Sequence, residues 1–138
     1  METFDKGLAL RKKVLGEAHV ERSLKAAQAS DFTRDLQHYV TAFGWGEIWA
    51  RPGLTLRERS LLNLAMLTAL NRPHELRTHI RGAINNGVTE AEMREVFLHT
   101  IAYCGFPAAI DSFRVAQEVL GSATGTHESG VGTGGHDD

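Results

Sequence analysis

Apolar residues recur along the chain at the three- and four-residue spacing of α-helices. No segment alternates apolar and polar residues over a useful length, so no strand is predicted. The positions that form the mostly apolar sides of the successive helices are Phe4, Leu8 and Leu15; Val20, Leu24 and Ala27; Phe32, Leu36, Tyr39, Val40 and Phe43; Leu61 to Leu70; Leu76, Ile80, Ala83 and Ile84; Met93, Val96, Phe97, Thr100, Ile101 and Cys104; and Phe113, Ala116, Val119 and Leu120. The pattern predicts an all-α bundle of about six or seven helices.

Start and stop signals divide this pattern into elements. Thr55 before Glu58, and Thr89 before Glu92, each have the spacing of a capping box ahead of an apolar run. Pro73 suits the first turn of the helix that follows it. These signals predict helix starts near residues 56, 73 and 90.

Glycine residues predict where helices stop. Gly44 and Gly46 should interrupt the third helix, and Gly121 should end the last one. The chain after Gly121 is rich in Gly, Ser, Thr, His and Asp, with almost nothing apolar. We therefore expect a helical domain at residues 1–121 and a disordered Gly-rich tail at residues 122–138.

The central helix is the most apolar segment of the chain. Residues Leu61 to Leu70 are apolar on nearly all sides, which predicts a helix that is buried all round. Its polar residues lie within a limited arc and are Ser60, Asn63, Thr68 and Asn71. This arc would either face solvent and cap neighbouring backbone, or form the polar wall of a cavity.

The composition argues against several classes of function. The 138 residues carry a formal net charge of −2, which gives no electrostatic reason to expect nucleic acid or an anionic membrane as a partner. The single cysteine, Cys104, excludes an intrachain disulfide and argues against a thiol-rich metal site. The acidic start lacks a signal-peptide core, and no apolar run is long enough to span a bilayer. A cytoplasmic protein without a metal is expected.

Ionisable residues follow the apolar helix directly. Arg72, Glu75 and His79 have the spacing that places side chains on one face of a helix. Charge beside a buried segment is typical of an active site, but an ordinary helix end has the same pattern. The spacing alone leaves both interpretations open.

Several ordered segments carry a family resemblance. They are Val14–Val20, Trp45–Trp49, Arg51–Leu54, Arg59–Ser60, Asn71–Arg72, His79, Asn85–Thr89, Tyr103–Gly105 and Pro107–Ala109. In order and spacing they resemble the carboxymuconolactone decarboxylase family over nearly the whole chain. The resemblance implies the fold of the AhpD-like alkylhydroperoxidases, assembled as a ring-shaped homohexamer.

The wider superfamily also contains thiol peroxidases, which carry a Cys-x-x-Cys pair with a histidine four residues after the second cysteine. Arg72 and Glu75 occupy those two positions relative to His79. A thiol peroxidase needs a nucleophilic thiolate and a resolving partner, and Cys104 lies alone on a predicted apolar face. Peroxidase chemistry is therefore disfavoured.

The activity that the resemblance implies is decarboxylation of 4-carboxymuconolactone to 3-oxoadipate enol-lactone, within protocatechuate degradation by the β-ketoadipate pathway. This dianionic lactone conjugates the departing carboxylate to its own carbonyl, so no cofactor is expected. The alternatives are a related enzyme acting on another small acid or lactone, and a non-catalytic helical oligomerisation module.

Site roles follow from this chemistry. We expect His79 to be the proton donor or the oxyanion partner; the alternative is a buried histidine hydrogen-bonded to a neighbouring helix. Glu75 would orient His79 and hold it charged, or would pair with Arg72 or Arg77 on an exposed face. Arg72 is the best carboxylate clamp, because a guanidinium pairs with a carboxylate bidentately.

Further residues are expected around the substrate, although Arg51 and Arg59 would equally suit an exposed surface. Those assigned to substrate binding are Arg51, Arg59, Glu47, Ser60, Trp45 and Tyr103. Trp45 and its neighbour Trp49 would close the pocket or a subunit contact. Tyr103 would donate a hydrogen bond to substrate or cap a helix end.

Overall fold

The computed structural model describes residues 2–124, and the side chains of residues 2–121. The helices are α1 (Glu2–Leu15), α2 (Glu17–Gln28), α3 (Asp31–Tyr39), α4 (Leu56–Ala69), α5 (Pro73–Asn85), α6 (Glu90–Cys104) and α7 (Phe106–Thr124), with a π-helical segment (Val40–Trp49) after α3. No strand occurs in this part of the chain, which confirms the all-α, AhpD-like fold. The last helix continues past Gly121 to Thr124, so the expected stop at Gly121 is wrong. The rest of the expected tail lies outside the described residues.

Both predicted capping boxes are present. The Oγ1 atoms of Thr55 and Thr89 accept from the backbone N–H groups of Glu58 and Glu92, each at 3.1 Å. The glutamate carboxylates accept in return from the backbone N–H groups of the two threonines. These contacts satisfy N–H groups that a helix start would otherwise leave unpaired, and α4 and α6 begin where the sequence predicts.

Two hydrophobic clusters hold the helices together. The larger one lies among α4, α5, α6 and α7, and its fully buried members include Leu64, Ile80 and Phe97. The smaller one joins α1 to the π-helical segment through Val14, Trp45 and Trp49. The second cluster positions both tryptophans beside α5.

The helix that follows Ser30 is not interrupted at Gly44 and Gly46, contrary to the sequence-based expectation. The backbone stays helical from Asp31 to Trp49 and changes from α to π geometry at Val40. Gly46 is needed for close packing instead of helix termination, because a Cβ atom there would overlap the backbone oxygen of Thr3. The glycine allows α1 and the π-helical segment to approach at backbone distance.

The expectation that α4 is buried all round is also wrong for the single chain. Leu62, Met66 and Leu70, one turn apart on one face, are exposed. On another face, Ser60 and Thr68 are buried. Thr68 Oγ1 donates to the Leu64 carbonyl oxygen at 2.7 Å and lies 2.8 Å from Ser112 Oγ. Its hydrogen bonds offset the cost of burying Thr68. Leu62, Met66 and Leu70 form an apolar stripe on the surface of the single chain.

None of the helices in the described part of the chain is both long enough and apolar enough to cross a bilayer.

Candidate active site

His79 lies on α5 against the two tryptophan rings. The ring centroids of Trp45 and Trp49 are 4.4 Å apart, and those of His79 and each tryptophan are 6.4 and 6.2 Å apart. All three rings are nearly parallel, with interplanar angles of 22° or less. Trp45 and Trp49 are buried, so the imidazole has a largely apolar wall on this side.

Asn63 on α4 fixes the orientation of the imidazole. Its Nδ2 atom lies 3.3 Å from His79 Nδ1. An amide nitrogen can only donate, so Nδ1 must accept, and the proton of the neutral ring resides on Nε2. The contact therefore presents Nε2–H as the free hydrogen-bond donor of His79.

His79 is neutral at physiological pH. Burial lowers its pKa to about 4, because the imidazolium loses hydration beside the tryptophans. Glu75 acts in the opposite direction and His19 adds to the lowering, but both effects are smaller than that of burial. The expectation that Glu75 holds His79 charged is therefore wrong.

His19 on α2, which is near enough to lower the pKa of His79, is itself surrounded by basic groups. Burial lowers the pKa of His19, and four further groups lower it electrostatically: Arg11, Arg22, Arg81 and His74. Each of these groups disfavours a proton on His19, because like charges repel. Residues of α1, α2 and α5 thus place positive charge around His19, the neighbour of His79.

Arg11 is the most buried cation of this region. Only 5% of the residue is exposed, and Nη1 donates to Gln37 Oε1 at 2.9 Å and to Thr41 Oγ1 at 3.0 Å. Both acceptors are neutral, and Nε is buried without a hydrogen-bond partner. Burial lowers the pKa of Arg11, and its positive charge is left without a carboxylate among these contacts.

The expected shared face of Arg72, Glu75 and His79 is only partly present. Glu75 is near enough to influence the His79 pKa. Arg72 is the N-cap of α5, with a non-helical φ of −119°, so helical spacing does not extend to its side chain. Both are exposed. The alternative in which Arg77 pairs with Glu75 is also wrong, because Arg77 forms its ion pair with Glu118.

Arg51 and Arg59 lie together after the π-helical segment. Arg59 Nη2 donates to the Arg51 carbonyl oxygen at 3.0 Å, and its Nε is buried without a partner. Arg51 lines a cleft of about 510 Å³ that also contains Trp49. Arg51 therefore shares this cleft with Trp49, and Arg59 contacts the backbone of Arg51.

Other expected site residues lie in different surroundings. Glu47 lines a separate cleft with Phe4 and His38. Tyr103 is 80% exposed, with its ring against His99, so it does not have the half-buried position of a helix cap. Ser60 is buried and accepts a hydrogen bond from Asn86 Nδ2 at 2.9 Å. Their roles in substrate binding stay predictions.

Sequence reasoning did not assign Asn63 or His19 to the site. Asn63 belongs to the recognised polar arc of α4, and that arc was the signal that could have identified it. His19 lies in the Val14–Val20 segment of the family resemblance, but nothing in the sequence shows that α2 packs near α5. No group of three or more His, Cys, Asp or Glu side chains that could hold a metal occurs among the described residues.

Comparison with known proteins places the chain in a family. The profile described as "Carboxymuconolactone decarboxylase family" matches residues 34–118, more than half of the chain. The chain is 46% identical to 4-carboxymuconolactone decarboxylase of Acinetobacter baylyi over 119 residues, which cover 86% of this chain and 87% of the relative. It is also 46% identical to nitrosuccinic acid decarboxylase of Metarhizium robertsii over 117 residues, covering 85% and 80%. The chain therefore belongs to the carboxymuconolactone decarboxylase family.

Proposed function

We propose that the protein is a decarboxylase that converts 4-carboxymuconolactone to 3-oxoadipate enol-lactone without a cofactor. The observation that carries the proposal is a neutral histidine, held by Asn63 against Trp45 and Trp49, in a member of this family. Its Nε2–H suits an oxygen that becomes negative during the reaction.

The reaction needs little from the protein beyond binding and charge stabilisation. The bond between the ring carbon and the carboxylate breaks, CO₂ leaves, and the electron pair moves through the conjugated double bond to the lactone carbonyl oxygen. The resulting dienolate then takes one proton on a ring carbon. Since the substrate accepts its own electrons, His79 acts by donating a hydrogen bond to that oxygen.

The cations around His19, which neighbours His79, support the same role. A dianionic substrate and a dienolate both gain from positive charge nearby, and they gain most where water is excluded. Arg11, with neutral hydrogen-bond partners, and the cations around His19 supply such charge. Arg72 and Arg51 are the proposed carboxylate clamps, and Glu75 tempers the lowering of the His79 pKa.

A second candidate substrate is supported by the fungal relative. Nitrosuccinic acid carries a nitro group beside a carboxylate, so loss of CO₂ would place the electron pair on a nitro oxygen rather than on a lactone carbonyl. The identities to the two relatives are equal at 46%, and the same Nε2–H donor would suit either oxyanion. An oligomerisation module without catalysis would not need this arrangement.

An assay with both substrates tests the proposed function. We expect the chain to release CO₂ from freshly generated 4-carboxymuconolactone, at a rate that a metal chelator does not change. Nitrosuccinate, supplied at the same concentration, measures the alternative. No turnover of 4-carboxymuconolactone at any pH between about 5 and 9 would contradict the proposed function, and turnover of nitrosuccinate alone would reassign the substrate.

We further propose that the protein is a homohexamer. Its support is the exposed apolar surface of the single chain, which includes Phe32 (94% exposed), Tyr39 (67%), Leu70 (62%) and Phe106 (63%). Surface of this kind on a small chain is typical of a subunit contact. Light scattering gives the mass in solution, and a mass other than that of six subunits would contradict the hexamer.

A further inference from the structure

A cleft lies between α1 and the loop that follows the π-helical segment. Its volume is about 510 Å³, which is enough for a small organic ligand. The lining residues are Lys6, Ala9, Leu10, Lys13, Trp49, Ala50, Arg51, Leu54, Thr55 and Leu56. Most of this surface is apolar, and the charged groups on it are all cations.

These cations have no acidic partner within the described part of the chain. Lys6 and Lys13 are seven residues apart on one face of α1, and Arg51 faces them from the loop. None of the three takes part in the ion pairs of residues 2–121. Lys12, by contrast, pairs with two glutamates on α2. The cleft therefore holds three unneutralised charges in a protein whose net charge is −2.

The carboxylate that follows the cleft residues Thr55 and Leu56 in the sequence is already engaged. Glu58 accepts hydrogen bonds from the backbone N–H and the hydroxyl of Thr55 as part of the capping box. Those bonds also lower its pKa, so it remains an anion committed to the helix start. Arg59 fixes the position of the loop through its hydrogen bond to the Arg51 carbonyl.

We propose that this cleft binds a small organic dicarboxylate. The carboxylates would pair with Lys6, Lys13 and Arg51, and the carbon skeleton would lie on Leu10 and Leu56. The choice of ligand class rests on the proposed function, since 4-carboxymuconolactone is a dianion. Trp49 lines the cleft and also contacts His79, so the cleft would gather substrate beside the catalytic histidine.

Adipate, a stable dicarboxylate with an apolar body, is the probe for this site. We expect calorimetry on the full chain to detect binding that weakens as salt is added. The K6Q/K13Q double variant should bind adipate roughly tenfold more weakly, as expected for two exposed charge pairs. It should also raise the KM for the proposed substrate. Hexanoate, with one carboxylate, should bind more weakly than adipate.

Lys12→Gln is the matched control, because it removes a charge from the same helix outside the cleft. It should leave adipate affinity within about twofold of the parent. Absence of adipate binding, or equal binding by the parent and K6Q/K13Q, would overturn the inference. If the parent binds adipate but does not decarboxylate 4-carboxymuconolactone, only the proposed function is contradicted. If the parent decarboxylates 4-carboxymuconolactone but K6Q/K13Q binds adipate as tightly as the parent, only the proposed site is contradicted.

Discussion

His79→Ala should lower kcat for decarboxylation by about 10²–10³-fold, the usual cost of removing one hydrogen-bond donor to a developing oxyanion. Substrate binding should change less, because the donor acts mainly once charge reaches the carbonyl oxygen. The free energy of unfolding should fall by only about 1–2 kcal/mol, since the variant loses the Asn63 contact and some ring packing. Steady-state kinetics and chemical denaturation measure the two effects.

Two further variants separate catalysis from packing. His79→Gln retains an amide N–H that can donate, and it should recover roughly tenfold of the lost kcat. His38→Ala removes an exposed histidine that stacks on Phe4, and its kcat should stay within about twofold of the parent. Full activity in His79→Ala would remove His79 from the mechanism.

Gly46→Ala should destabilise the protein by about 3 kcal/mol and lower Tm by about 10 °C or more. The added methyl group would overlap the backbone of Thr3, and backbone cannot move aside as the end of a side chain can. Separation of α1 from the π-helical segment would also displace Trp45 and Trp49, which adjoin His79. We therefore expect activity to fall together with stability in thermal denaturation and kinetic assays.

Gly44→Ala is the matched control on the same segment. A Cβ atom at Gly44 would meet nothing within 4 Å. The substitution should be neutral or slightly stabilising, because alanine reduces the conformational freedom of the unfolded chain. Equal loss of stability in the two variants would show that helix propensity, rather than close packing at Gly46, is responsible.

Much of the fold could be predicted from local signals. The capping boxes at Thr55 and Thr89 and the apolar spacing locate helix starts without tertiary information, and the structure agrees with both. The course of the chain around Gly46 could not be predicted in this way. A glycine that breaks a helix and a glycine that admits a neighbouring backbone look the same until the neighbour, here Thr3, is known.

The site was predictable to a smaller extent. His79 could be selected because helical spacing and a family resemblance converge on it. Its protonation state could not be predicted. A neighbouring carboxylate such as Glu75 favours the charged imidazolium and burial opposes it, but the sequence does not show how deeply His79 is buried. Arg72 shows a related limit, since helical spacing fails at an N-cap residue.

The pH dependence of kcat/KM for 4-carboxymuconolactone reports the ionisations of the free enzyme and so tests whether His79 works as a neutral imidazole. Since burial lowers the His79 pKa to about 4, the histidine stays neutral at higher pH. We predict that kcat/KM is constant between about pH 5 and 8 and falls only on further acidification. A loss of activity as pH rises through about 6.5, the ordinary pKa of histidine, would show that His79 works as an imidazolium and would contradict the account.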